Sequence, residues 1–391
     1  MKWLPALLLA LLLLAPALPI CPEPHYPGQH RAAGQAPSTR HTTIHVALLD
    51  AVIPTFTSPP EMHAILDGYT WSAGDQTYGF DVTWLTDIQI TTGTLDGFDV
   101  LIIPGIGKEY RRPGMLGSRW KNAIRTFVTD GGGYFGTCGG ANMGAEQLMT
   151  AAQRGHTRMT AWEWFMNASA LGVAPVQAYQ DIGDPIALSL AGQPGRIGQS
   201  AYIWYNLSIE GSGLCQRCPV NRSHPIFAGY EDDSRIIRWV GGPALLPRGN
   251  VSVLACYPDE NMSGPHGNAS TMLHVWRYTP GLEQPLDRWD MEPGYVETHL
   301  AGRPAAVACR HGEGRVVLFG NHPEHPVWRG GRIVERDTGR DRMLTDGLFG
   351  WTDRRELPGD YNWWVVRRSV AWTADLDADM LPPIAGSDKV Y

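Results

Sequence analysis

The chain has 391 residues, a net charge of -7 and a pI near 6.0. Because contacts to phosphate need clustered Lys and Arg, this balance excludes a broad nucleic-acid-binding surface, and no nucleic-acid partner is predicted. Hydrophobic residues make up 43% of the sequence, which is enough for the core of one large domain or two ordinary ones.

The first twenty residues have the features of an export signal. Lys2 gives a short positive segment, and residues 4–18 form an apolar run. Residues 21–41 are rich in Pro and Gly and predict a linker, which would leave a buried helix, the alternative interpretation of the apolar run, without a packing partner. Two outcomes stay open for residues 1–20: cleavage as a signal peptide, or retention as a membrane anchor. No other segment is predicted to span a membrane.

Strands and helices alternate through the first half of the domain. Residues 43–50, 80–86 and 98–103 are short runs of β-branched and apolar residues, as in buried strands. Apolar residues at helical spacing follow at 120–128, and residues 134–137 form another predicted strand. This alternation predicts an α/β domain in which helices cover both faces of a mostly parallel sheet.

The sequence GTCGG at residues 136–140 has the GxCxG form of a nucleophile elbow. In such an elbow a strand turns sharply into a helix, and the central residue, here Cys138, takes strained dihedral angles. Glycines on either side avoid clashes with the neighbouring strand and helix. The turn would expose the Cys138 sulfur at the carboxyl edge of the sheet, at a helix N-terminus that favours thiolate.

Asn-x-Ser sequons give a second, independent indication of export. Six of the ten asparagines in the chain begin such a sequon, far more than chance would give. The chain is therefore predicted to be secreted or extracellular, and N-glycosylated. The predicted sites are Asn167, Asn206, Asn221, Asn250, Asn261 and Asn268.

Six cysteines in an exported chain suggest disulfides. Cys256 and Cys309 lie in short apolar runs that predict neighbouring strands, and we expect these two to pair. Cys215 and Cys218 form a CxxC, for which we expect a local disulfide or a turn. Zinc is the alternative for the CxxC, but a single motif lacks the second ligand pair, so no metal site is predicted.

The second half is less regular than the first. Residues 258–303, rich in Pro, Gly, Asn and charge, predict a long insertion between strands. Residues 305–310 and 315–320 flank an HGEG hairpin signal, and the second of these strands leads into the sequence NHPEHP at 321–326. Apolar residues at helical spacing predict a closing helix over 363–373.

His322 and Glu324 complete the predicted chemistry with Cys138. A thiolate nucleophile needs a base that can later protonate the leaving group, and His322 follows a strand, where such a base is expected. Glu324, two residues further on, is placed to orient the imidazole. The predicted roles are therefore nucleophile, base and orienting carboxylate, and no cofactor is predicted.

Two sequence segments together resemble class I glutamine-amidotransferase-like domains. They are GGGYFGTCGGA at 131–141, preceded by a strand, a PG loop and a helix, and GRVVLFGNHPE at 314–324. Within that superfamily the chain is most similar to the domain at the N-terminus of eukaryotic-type biotin-protein ligases and to exported stand-alone relatives. The resemblance covers about residues 42–375 and leaves 376–391 as a C-terminal tail. It implies a flavodoxin-like fold and a Cys138-His322-Glu324 triad, with no substrate assigned.

An oxyanion hole is expected beside the sulfur, because acyl transfer requires one. One backbone N–H would come from Gly139, and another from the loop at Gly105 and Ile106. The amidotransferase loop usually has a second glycine where this chain has Ile106, so the chain departs from the family pattern at the second donor.

Together these motifs favour an exported cysteine hydrolase or acyl transferase that acts on an amide or ester of an unidentified small molecule or peptide. The alternative is a catalytically silent extracellular binding module that keeps the fold. In that alternative Cys138 is an inert buried thiol, and the HPE segment is a loop that closes a strand.

Overall fold

A computed structural model describes residues 40–50, 58–105, 117–148, 167–179, 200–201, 214–240, 242–258, 272–279, 288–297, 300–335 and 349–384. The chain divides into two compact units, residues 1–38 and 39–391. All of the described residues belong to the second unit. The predicted signal segment and most of the predicted linker therefore lie outside the described residues.

The strands and helices follow the chain in this order. The strands are β1 (Arg40–Leu49), β2 (Thr70–Ala73), β3 (Gln76–Leu85), β4 (Val100–Ile103), β5 (Gly133–Thr137), β6 (Ala145–Leu148), β7 (Ala174–Tyr179), β8 (Ser200–Ala201), β9 (Leu214–Pro219), β10 (Ser234–Trp239), β11 (Ala244–Pro247), β12 (Ser252–Cys256), β13 (Met272–Thr279), β14 (Arg288–Glu297), β15 (Pro304–His311), β16 (Gly314–Phe319), β17 (Trp328–Glu335) and β18 (Phe349–Glu356). The α-helices are α1 (Ser58–Leu66), α2 (Asp87–Thr91), α3 (Ser118–Thr129), α4 (Gly139–Gly144) and α5 (Trp363–Thr373).

The main sheet has the strand order β12-β15-β16-β5-β4-β1-β3-β2. The five central strands, from β16 to β3, are all parallel to one another. Counted in chain order they are arranged 2-1-3-4-5, which is the flavodoxin-like order of a doubly wound sheet. The three outer strands, β2 at one edge and β15 and β12 at the other end, are antiparallel to their neighbours. The predicted fold class is confirmed, including the added antiparallel section.

Both faces of the sheet are covered by helices because its central strands are apolar on both sides. Along β4, Val100 and Ile102 pack with α1 and α5, whereas Leu101 and Ile103 pack with α3. This alternation places successive side chains on opposite faces, and all four are fully buried. On α3 the buried residues recur at every fourth position, which aligns them on the stripe that faces the sheet.

The predicted insertion, residues 258–303, contains a hairpin of its own. Strands β13 and β14 pair antiparallel, and β13 also pairs with the short strand β8. This three-stranded sheet is separate from the main sheet, and its hairpin of β13 and β14 lies between β12 and β15 in the chain.

The first part of the predicted C-terminal tail packs against the domain. The Trp71 indole Nε1 donates to the carbonyl of Met380 at 2.9 Å. Leu381 is buried, and the Arg368 guanidinium donates to the carbonyl of Pro382 at 2.7 Å. These contacts extend the packed domain through residue 384, the last one described.

The two predicted disulfides are wrong, and none of the five cysteines in the described residues takes part in a disulfide. Strands β12 and β15 are neighbours, as expected, but Cys256 aligns with Pro304, five residues before Cys309. That offset corresponds to roughly 16 Å along a strand, against the limit of about 7 Å between the Cα atoms of a bridged pair.

The CxxC motif lies within one strand, β9. An offset of three residues turns the side chains of Cys215 and Cys218 to opposite faces. Their surroundings differ accordingly: the Cys215 sulfur accepts from the backbone N–H of Trp328 at 3.3 Å, and the Cys218 sulfur accepts from the Asn321 amide at 3.6 Å. A local bridge between the two cysteines is therefore excluded.

No helix among the described residues is long and apolar enough to cross a lipid bilayer.

Candidate active site

Cys138 lies at a sharp turn between β5 and α4. Its dihedral angles are φ 47° and ψ −103°, in a region that is costly for a residue with a Cβ. The turn is held at both ends, since the Cys138 N–H donates to the carbonyl of Phe319 at 2.7 Å and the Cys138 carbonyl accepts from the N–H of Asn142 at 3.0 Å. A Cβ at Gly140 would lie only 1.7 Å from the carbonyl oxygen of Ile103, so the turn requires glycine there. These features are those of the predicted nucleophile elbow.

His322 comes from the loop after β16, the strand that pairs with β5. Its backbone N–H donates to the carbonyl of Arg238 at 2.7 Å, which fixes the loop to the end of β10. The ring Nδ1 lies 2.8 Å from Oε1 of Glu324, and the Cys138 side chain lies close enough to the ring to raise the pKa of His322. Since Nδ1 is bonded to the carboxylate, Nε2 is the ring nitrogen that remains for proton exchange with a thiol. The structure thus brings the three predicted triad residues together.

Gly105 makes room for the His322 ring. A Cβ at position 105 would lie 2.3 Å from Cε1 of His322. The Gly105 N–H, predicted as an oxyanion donor, instead donates to the hydroxyl of Ser58 at 3.0 Å. Gly139, the other predicted donor, is the buried first residue of α4, while Ile106 lies outside the described residues.

Glu324 is buried, and its contacts are concentrated on one oxygen. Oε1 accepts from the Ser58 hydroxyl at 2.5 Å and from the Thr137 hydroxyl at 3.0 Å, in addition to its bond with His322. The other oxygen, Oε2, has no hydrogen-bond partner in the part of the chain that the structure describes. A buried carboxylate that is only half satisfied favours a positive charge beside it.

The electrostatics of the site keep His322 charged. Burial alone lowers the pKa of His322, but the Glu324 carboxylate and the Cys138 sulfur outweigh burial and raise that pKa to about 10. Burial acts to raise the pKa of Glu324, but its interactions with His322, His325 and Ser58 lower it to about 2. At neutral pH the pair is therefore an imidazolium and a carboxylate.

A second histidine lies directly on the first. The rings of His322 and His325 stack with their centroids 4.5 Å apart and their planes inclined by 17°. The His325 Nδ1 is hydrogen bonded to Oε2 of Glu61, in the first turn of α1. Burial lowers the pKa of His325, and the neighbouring His322 ring lowers it further.

One group of side chains in the described residues has the composition of a metal site. Ligand atoms of His322, Glu324 and His325 all lie within 4.8 Å of one another. In the structure each histidine Nδ1 is bonded to a carboxylate, that of Glu324 or that of Glu61. The cluster is therefore arranged as two histidine-carboxylate pairs.

Four residues at the site are not predicted by the sequence motifs: Ser58, Glu61, Thr137 and His325. Thr137 and His325 each lie within three residues of a predicted triad member, so the motifs themselves carried a signal for them. Ser58 and Glu61 lie far away in sequence, on the helix that follows β1. Only the rule that ligand sites form at the carboxyl ends of parallel strands could have pointed to that helix.

The predicted glycosylation sites lie in different surroundings. Asn250 is exposed in a bend between β11 and β12. Asn221 is half-buried, and its side-chain Nδ2 donates to the carbonyl of Val253 at 3.1 Å. Asn167 is also half-buried and accepts from the N–H of Leu148 at 2.8 Å. The remaining sites, Asn206, Asn261 and Asn268, lie outside the described residues.

Comparisons with known proteins give distant structural likenesses only. No protein-family model and no curated protein matches the chain. A solved glutamine amidotransferase is 16% identical, with a TM-score of 0.34, over 71% of this chain and 90% of that one. A ThuA-like protein from Bacteroides uniformis is 12% identical, with a TM-score of 0.36, over 76% of this chain and 86% of that one.

A further solved structure, a β-galactosidase from Bacillus circulans sp. alkalophilus, is 11% identical with a TM-score of 0.32. The likeness covers 71% of this chain and 28% of that one. At such low identities and TM-scores these likenesses decide neither family nor activity. The assignment of the fold comes from the strand order of the sheet.

Proposed function

We propose that the protein is an amidotransferase-like cysteine hydrolase or acyl transferase with Cys138, His322 and Glu324 as its triad. The observation that carries the proposal is the His322 ring, which is bonded to Glu324 and whose pKa is raised by the nearby side chain of a strained elbow cysteine, Cys138. Strain at a single non-glycine residue is typical of a nucleophile that must project from a sheet edge. The substrate class is an amide or ester of a small molecule or peptide.

The reaction begins with the sulfur as thiolate and His322 protonated. Attack on the substrate carbonyl forms the bond between sulfur and carbon and a tetrahedral intermediate. The intermediate collapses as the His322 proton passes to the leaving amine or alcohol, whose bond to carbon breaks, and an acyl thioester remains on Cys138. Glu324 holds the ring in the orientation needed for this transfer.

The second half of the reaction returns the site to its starting state. Neutral His322 removes a proton from water, or from another acyl acceptor, as its oxygen or nitrogen attacks the thioester. Collapse of this intermediate breaks the carbon-sulfur bond, so the product leaves, the sulfur is again thiolate and His322 carries the proton. No oxidant or cofactor enters either half of the cycle.

The Gly139 N–H is our candidate for stabilising the oxyanion in both halves, because it directly follows the nucleophile. The Gly105 N–H would serve only if the Ser58 hydroxyl released it. Ser58, which donates to Glu324, would in that case also lie beside the reacting carbonyl.

Export and family membership are further parts of the proposal. The apolar run at residues 4–18 and the six sequons support a secreted or extracellular protein, either freed from its signal segment or anchored through it. Asn250, which is exposed, is the described position best suited to carry a glycan. The motifs at 131–141 and 314–324 support a relationship to the N-terminal domain of biotin-protein ligases.

Alkylation of the intact protein with iodoacetamide tests the nucleophile directly. The full chain is labelled briefly at pH 7, and each cysteine is then quantified by peptide mass spectrometry. We expect Cys138 to react fastest, and His322→Ala to slow it by about tenfold or more, because an ordinary thiol is mostly protonated at this pH. Cys309→Ala is the matched control, since Cys309 is buried far along β15, and it should leave Cys138 labelling unchanged. Equal labelling of the parent and His322→Ala chains would contradict the proposal.

The silent binding module is the second candidate, and one observation favours it. The Gly105 N–H, one of the predicted oxyanion donors, already donates to the Ser58 hydroxyl. A silent module would never form an acyl thioester at Cys138, whether or not its thiol can be alkylated. Acid quenching with p-nitrophenyl acetate, followed by intact-mass analysis, distinguishes the two: a stable adduct of one acetyl group that is absent in Cys138→Ala supports the enzyme.

A further inference from the structure

The site contains two histidine-carboxylate pairs, and the proposed reaction uses only one of them. His322 bonds Glu324, and His325 bonds Glu61, in each case through the ring Nδ1. The second pair joins two distant parts of the chain, the loop after β16 and the first turn of α1. Burial of the His325 ring costs free energy because the ring loses its hydration, and the bond to Glu61 offsets part of that cost. A role at the site would explain why the pair is there.

The His325 ring covers one face of the His322 ring. At a centroid separation of 4.5 Å and an angle of 17° the two faces are in contact. The side chain of His325 is 10% exposed and that of Glu61 is 28% exposed, against 5% for His322. The second pair therefore lies between the triad histidine and solvent on the side of α1.

The charges around the stack favour a neutral outer ring. The groups that face His325 are Glu61 on α1 and His322 and Glu324 in its own loop, and Arg238 on β10 interacts with Glu61. His322 carries the positive charge that balances Glu324. A neutral aromatic ring laid on a cationic ring is attracted to it, whereas a second imidazolium would be repelled.

We infer that His325, held in place by Glu61, is a positioning residue for His322. Its ring keeps the His322 imidazole in the plane that joins Oε1 of Glu324 to the Cys138 sulfur, and it blocks rotation of the imidazole towards α1. A small error in the orientation of a catalytic base costs a large factor in rate, because the proton donor and acceptor no longer align. This inference rests on the proposed role of Cys138 as the nucleophile.

The test measures the rate constant of Cys138 alkylation by iodoacetamide at pH 7 in the full chain, in which the thiolate displaces iodide. We expect His325→Ala to lower the rate about tenfold, and His325→Phe, which keeps an aromatic face, to stay within about threefold of the parent. Glu61→Gln should fall between the two, since the amide oxygen can still accept from Nδ1. His63→Ala is the matched control because His63 lies on the same helix and stacks on Trp84, at 5.3 Å, away from the triad.

Two results would overturn the inference: a parent-like rate in His325→Ala, or equal losses in His325→Ala and His325→Phe. A loss of folding alone would lower the melting temperature of both variants together and would not be rescued by phenylalanine. The His322 ring itself gives a second reading by proton NMR. The downfield signal of its Nδ1–H, bonded to Glu324, should broaden by exchange with water in His325→Ala and persist in His325→Phe.

The NMR reading also separates this inference from the proposed function. If Cys138 in the parent chain is unreactive while the Nδ1–H signal depends on the ring at position 325, the proposed reaction fails and the positioning role stands. If Cys138 reacts and depends on His322 but neither measurement responds to position 325, only the positioning role fails.

Discussion

Ser58 and Glu324 are joined by a hydrogen bond of 2.5 Å, although they lie 266 residues apart in the sequence. The same hydroxyl accepts from the N–H of Gly105, so one serine connects the start of α1, the loop after β4 and the Glu324 carboxylate. All three segments follow parallel strands, whose carboxyl ends meet at one edge of the sheet. Ser58 is thus the point where the fold and the proposed triad depend on each other.

Replacement of Ser58 by alanine should destabilise the protein and weaken the triad. The variant removes one donor to an ionised, buried carboxylate and leaves the Gly105 N–H without its acceptor, which should cost about 1–3 kcal/mol in the free energy of unfolding. Urea denaturation measures this loss. Ser72→Ala is the control, since Ser72 is exposed on β2 and should change stability by less than about 0.5 kcal/mol. Equal unfolding midpoints for both variants would show that the Ser58 bond contributes nothing.

Replacement of Gly140 by alanine tests the elbow. The added Cβ would overlap the carbonyl oxygen of Ile103, at 1.7 Å, so the strand or the helix must move. We expect a loss of about 3 kcal/mol or more, or failure to fold. Gly97→Ala is the matched control, because a Cβ there would meet nothing within 4 Å, and this variant should stay within about 1 kcal/mol of the parent. A Gly140→Ala chain as stable as the control would contradict the close packing of α4 on β4.

The sequence was informative wherever a motif lies within a single segment. Cys138 with its glycines, and His322 with Glu324, are each encoded within a few residues, and the alternation of strands and helices was enough to predict the sheet. Contacts between distant segments could not be predicted from such local patterns. The cysteine pairing failed because the register of β12 on β15, which aligns Ser252 with Ala308 and Cys256 with Pro304, is a contact between distant segments that no local pattern specifies.

The pair of His325 and Glu61 is a second example of a contact between distant segments that the sequence does not predict. His325 was visible in the motif, but its role depends on Glu61, which α1 brings across the edge of the sheet. A histidine near a triad is common enough that its type alone predicts nothing. The positioning role that we infer for His325 rests on its stack on His322 and its bond to a distant carboxylate, and both are properties of the fold.

Stability should depend on pH through the His322-Glu324 pair. Between about 6.5 and 10 the folded chain keeps a proton on His322 that the unfolded chain releases, so stability should fall as the pH rises through this range. Between about 4.5 and 2 the unfolded chain takes up a proton at Glu324 that the folded chain does not, so stability should fall as the pH falls. The contribution of the pair is therefore greatest between about 4.5 and 6.5.

Urea midpoints measured across this pH range in the parent chain and in Glu324→Gln test the assignment. The glutamine cannot titrate, and it removes the charge that holds the proton on His322, so both slopes should become flatter. Slopes that are identical in the two chains would mean that other groups control the pH dependence.

Arg235 lies outside the site but should affect it, because it holds the strand that contacts the His322 loop. It is 1% exposed, its Nε donates to Oδ1 of Asn362 at 2.8 Å, and its guanidinium lies 3.4 Å from the ring centroid of Tyr361. These contacts tie β10 to the start of α5, and β10 also supplies the Arg238 carbonyl that accepts the His322 N–H.

Replacement of Arg235 by lysine keeps the charge but loses the planar guanidinium, which both donates hydrogen bonds and stacks on Tyr361. Lysine should therefore not substitute for arginine at this position. We expect a loss of about 2 kcal/mol or more in the free energy of unfolding, because the Asn362 oxygen is left buried without its donor. Cys138 alkylation should slow as well, since the end of β10 is no longer held. Arg217→Lys, at an exposed position on the neighbouring strand β9, is the control and should change stability by less than about 0.5 kcal/mol. A normal alkylation rate in a clearly destabilised Arg235→Lys chain would show that β10 does not position His322.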